Sequence, residues 1–120
     1  MAEHADALDR RHDLISSLKV EGTPVFDRHA EKIGTIHSIM LDKVSGQVAY
    51  AVLSFGGFLG FGSRVYPLPW SMLTYDPQLH GYYVGVSRED VEGAPYMEVD
   101  KADRPYETAE PVYRHWDTFF

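Results

Sequence analysis

The chain has 120 residues, of which 44% are hydrophobic and 24% charged, a composition typical of one globular domain. It contains no cysteine, which excludes a disulfide scaffold, a thiolate metal site and a cysteine nucleophile. The formal net charge is −7, which predicts no nucleic-acid binding, and the charged N-terminus and lack of a long apolar run predict no signal peptide, no membrane span and a cytoplasmic location.

Residues 1–18 form a predicted helical extension, with a helix from Glu3 to Leu18. Leu8, Ile15 and Leu18 fall on one side of this helix, at spacings of seven and three residues. The apolar stripe is narrow, and an isolated helix of this length is marginal in water. We therefore expect the helix to fray, to dock loosely on the rest of the chain, or to pair with another copy.

Short extended segments separated by turn signals fill residues 19–95, which we predict to be the folded domain. Their spacing favours a small β-barrel or sandwich over alternating βαβ units, and closure into a barrel would remove exposed strand edges. Pro67 and Pro69 cannot donate backbone hydrogen bonds, so their strand is expected to lie at an edge or to end early. The segments are GTPVFD at 22–27, IGTIHSIMLD at 33–42, QVAYAVLSF at 47–55, SRVYPLPW at 63–70 and HGYYVGV at 80–86.

Two of the connections carry specific local signals. The stretch Lys43 to Gly46 predicts a tight hairpin turn in which the glycine takes a positive φ, and Asp42 is expected to accept backbone hydrogen bonds. After the last extended segment, Ser87 and Asp90 form a capping-box pattern for a short helix that ends at Gly93.

Residues 96–120 form a predicted C-terminal tail, in which prolines alternate with charges and aromatic rings. Its end, PVYRHWDTFF, places Tyr113, Trp116 and Phe120 at helical spacing after a proline suited to a first turn. Burial of a large apolar side chain contributes roughly 1.5–3 kcal/mol, so leaving these rings in water would be unfavourable. We predict that they dock onto the barrel or onto a neighbouring subunit.

The sequence between residues 22 and 95 resembles the stand-alone PRC-barrel domain proteins. The likeness rests on motifs in the order and spacing of that family: Gly22–Val25, Ile33–Ile36, Asp42–Gly46, Tyr50–Leu53, residues 55–62, Pro69–Trp70 and Glu92–Pro95. It implies a compact barrel, and with the elements above it predicts an all-β fold, a small PRC-type β-barrel with short flanking helices at both ends. The same fold occurs in the cytoplasmic part of the photosynthetic reaction centre H subunit and in a ribosome-maturation factor family. For stand-alone members the resemblance implies a role in assembly or regulation.

The stretch FGGFLGFG at 55–62 has no charged residue and four glycines, Gly56, Gly57, Gly60 and Gly62. A phosphate-binding loop needs a glycine pattern that leads into a helix with a Lys, whereas here no Lys follows and the next segment is extended. Two interpretations stay open. The side chains of Phe58, Leu59 and Phe61 cover one end of their own barrel, or they form a contact patch buried only in an oligomer.

No pattern of catalytic or metal-binding residues stands out in the sequence. Acidic residues cluster on what we expect to be solvated faces, and a G-x-S-x-G nucleophile elbow is missing. His4 and His12 are eight residues apart, too far for a one-turn ligand pair, and the zincin spacing is absent. We therefore predict that the protein is not an enzyme and uses no metal and no cofactor.

The leading hypothesis is a non-enzymatic interaction or assembly module that forms a homodimer and docks on an unidentified partner protein through the glycine-rich loop and the aromatic tail. The alternative is a barrel that binds a small apolar, quinone-like ligand linked to electron-transfer complexes, with Trp70 and the loop lining its pocket. The other interpretation of Trp70 is a core or rim residue fixed by the two prolines that precede it. A role in photosynthetic or ribosomal assembly rests on the resemblance alone. The candidate interface or ligand residues are Phe55, Phe58, Leu59, Phe61, Trp70, Tyr113, Trp116 and Phe120.

Overall fold

The computed structural model describes residues 14–55, 64–98 and 109–120. These residues contain the strands β1 (Pro24–Phe26), β2 (Lys32–Leu41), β3 (Val48–Phe55), β4 (Arg64–Pro69), β5 (Thr74–Asp76), β6 (Gly81–Tyr83) and β7 (Met97–Glu98). They also contain the helices α1 (Ser17–Val20), α2 (Arg88–Glu92) and α3 (Glu110–Asp117), and one turn of 3-10 helix at Trp70–Met72.

The described strands form a single sheet in the order β5-β6-β1-β2-β3-β4-β7. Neighbouring strands are antiparallel except for β1 and β6, which pair in parallel. Each of the five predicted extended segments contains a strand, which confirms those predictions, whereas β5 and β7 were not predicted. β4 lies between β3 and β7, but β7 pairs with it only at Arg64 and Val65. Pro67 and Pro69 therefore have no described strand on the side away from β3, and β4 ends at Pro69. The expectation for the two prolines is therefore confirmed.

The sheet formed by the described strands is open, so the prediction of a closed barrel is wrong for this part of the chain. β5 and β7 lie at its two edges, and no ladder joins them among the described residues. β5 has three residues and β7 has two, and Pro77 directly follows β5. Short edge strands and an adjacent proline limit edge-to-edge pairing with other chains, which is the benefit that closure would otherwise supply.

The hairpin between β2 and β3 has the predicted turn. Gly46 has a φ of 78°, and a carboxylate oxygen of Asp42 accepts hydrogen bonds from the backbone N–H groups of Val44 and Ser45, each at 2.9 Å. The bond from Ser45, and then the one from Val44, lowers the pKa of Asp42 from its ordinary value of 3.8. The turn thus joins β2 and β3 through local contacts, while irregularities between Ile36 and Ser38 and between Met40 and Leu41 shift the register along the pair.

Close approach of β2 and β3 explains one glycine of the Ile33–Ile36 motif. A Cβ atom at Gly34 would collide with the backbone carbonyl oxygen of Ser54 and would crowd the side chain of Leu53. Only glycine, which has no side chain, fits between the two backbones at this position.

Among the described residues, one hydrophobic core involves the sheet and all three helices, with Val20 contributed by α1. In β3, the residues from Tyr50 to Leu53 are all buried, so both faces of this strand are covered. Val91 of α2 belongs to this core, as do Val112 and Trp116 of α3. The described end of the C-terminal tail, residues 109–120, is therefore part of the fold.

The predicted helix over residues 3–18 lies mostly outside the described residues, and its described end is wrong. Leu14 and Ile15 are not helical, and the side chain of Ser16 accepts a hydrogen bond from Leu18 N to cap the short helix α1. Serine at this position competes with a continuous helix because its hydroxyl satisfies a free N–H at a helix start. Ile15 and Leu18, the described members of the proposed stripe, are 51% and 77% exposed, so neither is buried against the rest of the chain.

The short helix α2 begins and ends as predicted. The Ser87 hydroxyl accepts a hydrogen bond from Asp90 N, and the Asp90 carboxylate accepts one from Ser87 N, both at 3.1 Å. Gly93 caps its C-terminus. The capping box is therefore confirmed, and it places the start of α2 at Arg88.

Candidate functional site

The predicted site residues fall into different regions. Phe58, Leu59, Phe61 and the glycines of the loop, Gly56, Gly57, Gly60 and Gly62, lie outside the described residues, so the statements made for them stay predictions. Among the described residues, Tyr113, Trp116 and Phe120 line one cleft, whereas Phe55 and Trp70 belong to two other aromatic groups.

The aromatic tail forms a cleft with the segment that follows β4. We call it the C-terminal cleft. Its volume is about 240 Å³, and it is lined by Pro69, Ser71, Met72, Tyr113, Trp116, Asp117 and Phe120. Its wall is therefore mostly apolar, with a hydroxyl and a carboxylate at two positions.

Helix α3 is held in place by residues that repeat every three or four positions. Pro111 lies in its first turn, and Val112 and Trp116, four residues apart, are both buried. The Tyr113 hydroxyl donates a hydrogen bond to the backbone carbonyl of Ala49, at 2.9 Å. These contacts confirm that Trp116 and Tyr113 dock onto the body of the protein, whereas the contribution of Val112 was missed.

Phe120 does not dock as predicted. α3 ends at Asp117, so Phe120 lies beyond the helix, where it lines the cleft beside Trp116 without being buried there. Its side chain is 74% exposed, and that of Phe119 is 40% exposed. Two adjacent rings therefore present apolar surface to solvent at the rim of the C-terminal cleft.

The end of α3 contains buried nitrogen atoms without partners. Among the described residues, neither Trp116 Nε1 nor His115 Nε2 has a hydrogen-bond partner, although both atoms are buried. The ring of Trp116 instead contacts those of His115 and Phe119, with centroid distances of 4.9 Å to each. A buried donor without an acceptor costs about 1–3 kcal/mol, so α3 is held by packing in spite of this indole.

Trp70 is half-buried and belongs to a separate group of rings. Its ring meets Tyr82 edge-on at 5.5 Å between centroids, and Tyr75 meets the same tyrosine at 5.3 Å. Burial raises the pKa of Tyr82, and the nearby Tyr75 adds to the shift. Trp70 is thus a rim residue, and it does not line the C-terminal cleft.

A second surface combines arginines with aromatic rings, and we call it the arginine–aromatic row. The Phe55 and Tyr66 rings lie 5.4 Å apart, and the Tyr66 and Tyr96 rings 5.9 Å apart. Arg64 Cζ is 4.0 Å from the centroid of Tyr96, and Arg88 Cζ is 4.9 Å from that of Phe55. Each guanidinium therefore lies over a ring face at one end of the row.

Only part of this row could be identified from sequence. Phe55 was a candidate, and Arg64 and Tyr66, two residues apart on a strand, share one face of the sheet. A side-chain hydrogen bond with Tyr66 raises the pKa of Arg64, and Tyr96 contributes to the shift. Arg88 and Tyr96 come from other segments, and no local pattern connects them to Phe55.

The described residues also bear on metal binding and membrane insertion. No group of three or more His, Asp or Glu side chains among them is placed to hold a metal ion. Within the same described ranges, no helix has the length and apolar character required to cross a bilayer.

These features define a small β-rich domain with one core, an added C-terminal helix and two exposed aromatic surfaces. The model of the PRC-barrel domain family matches residues 12–91, which is two thirds of the 120 residues, and the chain belongs to that family. This confirms the resemblance seen in the sequence. No curated protein matches the chain.

The bounds of the family match include different shares of the two surfaces. PRC-barrel domains are generally non-catalytic, and the family fits a small non-enzymatic module. Trp116, Tyr113 and Phe120 lie beyond residue 91, so part of the C-terminal cleft is an addition to the matched domain. In the arginine–aromatic row, four of the five residues lie inside the match and Tyr96 lies outside it.

Proposed function

We propose that this protein is a non-enzymatic PRC-barrel module that self-associates as a dimer and docks on a partner protein through its aromatic tail and its glycine-rich loop. The observation that carries the proposal is the exposure of Phe119 and Phe120, at 40% and 74%, beside the C-terminal cleft. Exposed apolar clusters next to a concave surface are typical of protein contact sites.

The energetics favour burial of this surface in a complex. Removing a phenylalanine side chain from water contributes about 1.5–3 kcal/mol when burial is complete, so the more exposed Phe120 has the most to gain. Pro69 and Met72 supply apolar surface in the wall of the same cleft, and Tyr113 adds a half-exposed ring. Aromatic residues and methionine are enriched at the centres of protein interfaces.

The alternative, a small quinone-like ligand, is less well supported. Pockets that bind such molecules usually measure about 300–1,000 Å³ and enclose most of the ligand. The C-terminal cleft is smaller, at about 240 Å³, and Trp70 is not in its wall. Titration of tryptophan fluorescence with a water-soluble quinone tests this alternative, since a saturable change in the wild type would favour it over an interface.

Self-association is tested by molar mass from light scattering. We expect the wild type to be a dimer, and we expect Phe119→Ser with Phe120→Ser to shift the mass towards the monomer. Phe58→Ser with Leu59→Ser tests the loop in the same way. The matched control is Val44→Ser, which removes an apolar side chain that is 97% exposed at the tip of the β2–β3 hairpin.

Circular dichroism must be the same for all of these variants, so that a change in mass does not reflect unfolding. A wild type that stays monomeric at high concentration refutes self-association. Partner docking is tested separately, by affinity capture with the wild type and each variant in parallel. Proteins retained by the wild type and the Val44→Ser control but lost with the tail variant would be partners of the C-terminal cleft.

A further inference from the structure

The arginine–aromatic row offers two cationic groups on a chain with a net charge of −7. We propose that this row is a docking site for an acidic peptide segment of a partner protein, whose carboxylates bind Arg64 and Arg88. This surface is separate from the C-terminal cleft, so the inference goes beyond the function proposed above.

Both guanidinium groups carry a charge that no described carboxylate neutralises. Arg64 is exposed and Arg88 half-buried, and neither makes an ion pair among the described residues, where the single ion pair joins Arg114 to Glu110. Acidic residues outnumber basic ones, 18 to 11, so this lack of pairing is not for want of carboxylates in the chain. A side-chain hydrogen bond with Tyr66 occupies part of the Arg64 guanidinium, and the remaining N–H donors of both groups have no carboxylate partner among the described residues.

The aromatic rings hold the two guanidinium groups in place before any ligand arrives. Arg64 lies over Tyr96 and Arg88 lies over Phe55, while the buried Tyr66 ring contacts both aromatic rings. A guanidinium stacked on a ring loses less side-chain freedom when it binds a carboxylate, which it contacts through two parallel N–H groups.

Acidic side chains lie near the arginine–aromatic row and affect which anionic ligand can bind there. Glu98 lies opposite Arg64 in the β4–β7 pair and adds slightly to the raised pKa of Arg64. Glu92 follows Arg88 by one helical turn, and Glu89 is its exposed neighbour. These carboxylates and the net negative charge oppose the binding of an extended anionic surface such as a bilayer or a nucleic acid. An acidic peptide is repelled by the same carboxylates, but it brings only a few charges to the surface and can place them at the two guanidinium groups, so it is the occupant that fits.

The test uses a short fluorescein-labelled peptide of alternating Glu and Gly, with its Gln and Gly analogue as the uncharged control. Fluorescence anisotropy is measured with the full chain at low salt. We expect the Glu peptide to bind and the Gln peptide not to bind. Raising NaCl from about 50 mM to about 500 mM should weaken binding severalfold, because the contact is between exposed charges.

Variants at the two arginines locate the contact. Loss of a hydrogen bond to a charged group costs about 1.5 kcal/mol at the low end, so Arg64→Gln and Arg88→Gln should each weaken binding about tenfold. Arg88→Lys retains the charge but loses the planar fork, and we expect an intermediate loss. The matched control, Arg114→Gln, removes an exposed arginine of α3 and should leave affinity unchanged.

Several results would overturn the proposal. These are no binding of the Glu peptide by a folded wild type, an equal loss with Arg114→Gln, or binding to phosphatidylglycerol vesicles with none to the peptide. Thermal melts check that each variant is folded. The variant Phe119→Ser with Phe120→Ser should bind the peptide as the wild type does, so failure here and failure of the C-terminal cleft are distinguishable.

Discussion

Substitutions at Trp116 test how helix α3 is held to the sheet. Trp116 is 1% exposed, and its indole N–H has no acceptor among the described residues. Replacing a buried tryptophan with alanine costs about 3–5 kcal/mol through lost burial and the cavity left behind. Removing an unpaired buried N–H returns about 1–3 kcal/mol of that cost. We expect Trp116→Ala to lower the free energy of unfolding by about 2 kcal/mol, the difference between the midpoints of these two ranges, if α3 and the sheet unfold together.

The comparison with Trp116→Phe isolates the role of the ring. Phenylalanine retains contact with Phe119 and His115 and has no polar atom to bury, so this variant should cost no more than about 1 kcal/mol. The assay is urea unfolding followed by circular dichroism and by the fluorescence of Trp70, which both variants retain. Hydrogen exchange of the α3 amides shows whether Trp116→Ala releases the helix alone, in which case the loss measured for the sheet is smaller.

The reasoning is refuted if the two variants are equally destabilised, because that would mean that the indole N–H, and not the packing of the ring, holds α3. Tyr113→Phe is the matched control. It removes the hydrogen bond to the Ala49 carbonyl at the same docking surface and should cost about 0.5–1.5 kcal/mol.

Three further predictions concern the sheet, its turn and the charge of the chain. Gly34→Ala forces a Cβ against the Ser54 carbonyl and should lower the free energy of unfolding by about 3 kcal/mol, the upper end for overpacking, measured in urea. The pKa of Asp42 is lower in the folded chain than its ordinary 3.8, so its charge stabilises the fold above that pH, and the benefit disappears as pH falls through the folded value. Asp42→Asn should therefore melt below the wild type at pH 7 and match it in strong acid; an equal difference at both pH values contradicts this. A gel-shift titration with RNA should show no salt-dependent complex, and a salt-sensitive shift would overturn the prediction from the net charge of −7.

Local signals in the sequence were enough to identify five of the seven described strands and the turn between β2 and β3. The segment that became β3 is rich in valine and aromatic residues, and Asp42 with Gly46 specified the turn that precedes it. Ser87 and Asp90 likewise specified the start of α2. In each case the residues that interact are within a few positions of one another, so their chemistry is visible without the fold.

The candidate site was harder to predict because its residues meet through the fold. The spacing of Tyr113 and Trp116 predicted a docked tail, but it also included Phe120, which lies beyond the end of α3 and faces solvent. The period of a helix predicts a shared side only for as long as the helix lasts. Where α3 ends, and which of its rings finds a surface, depends on packing against the body of the protein.

The sequence by itself determined the family, the hairpin turn, the capping box and the presence of five strands, because each depends on neighbouring residues. Only the tertiary structure decided that the described strands form an open sheet, with the short strands β5 and β7 at its edges. It also decided that Arg88 lies over Phe55 and Arg64 over Tyr96. The physical reason is that these contacts join segments far apart in the chain, and their geometry follows from the packing of the whole core.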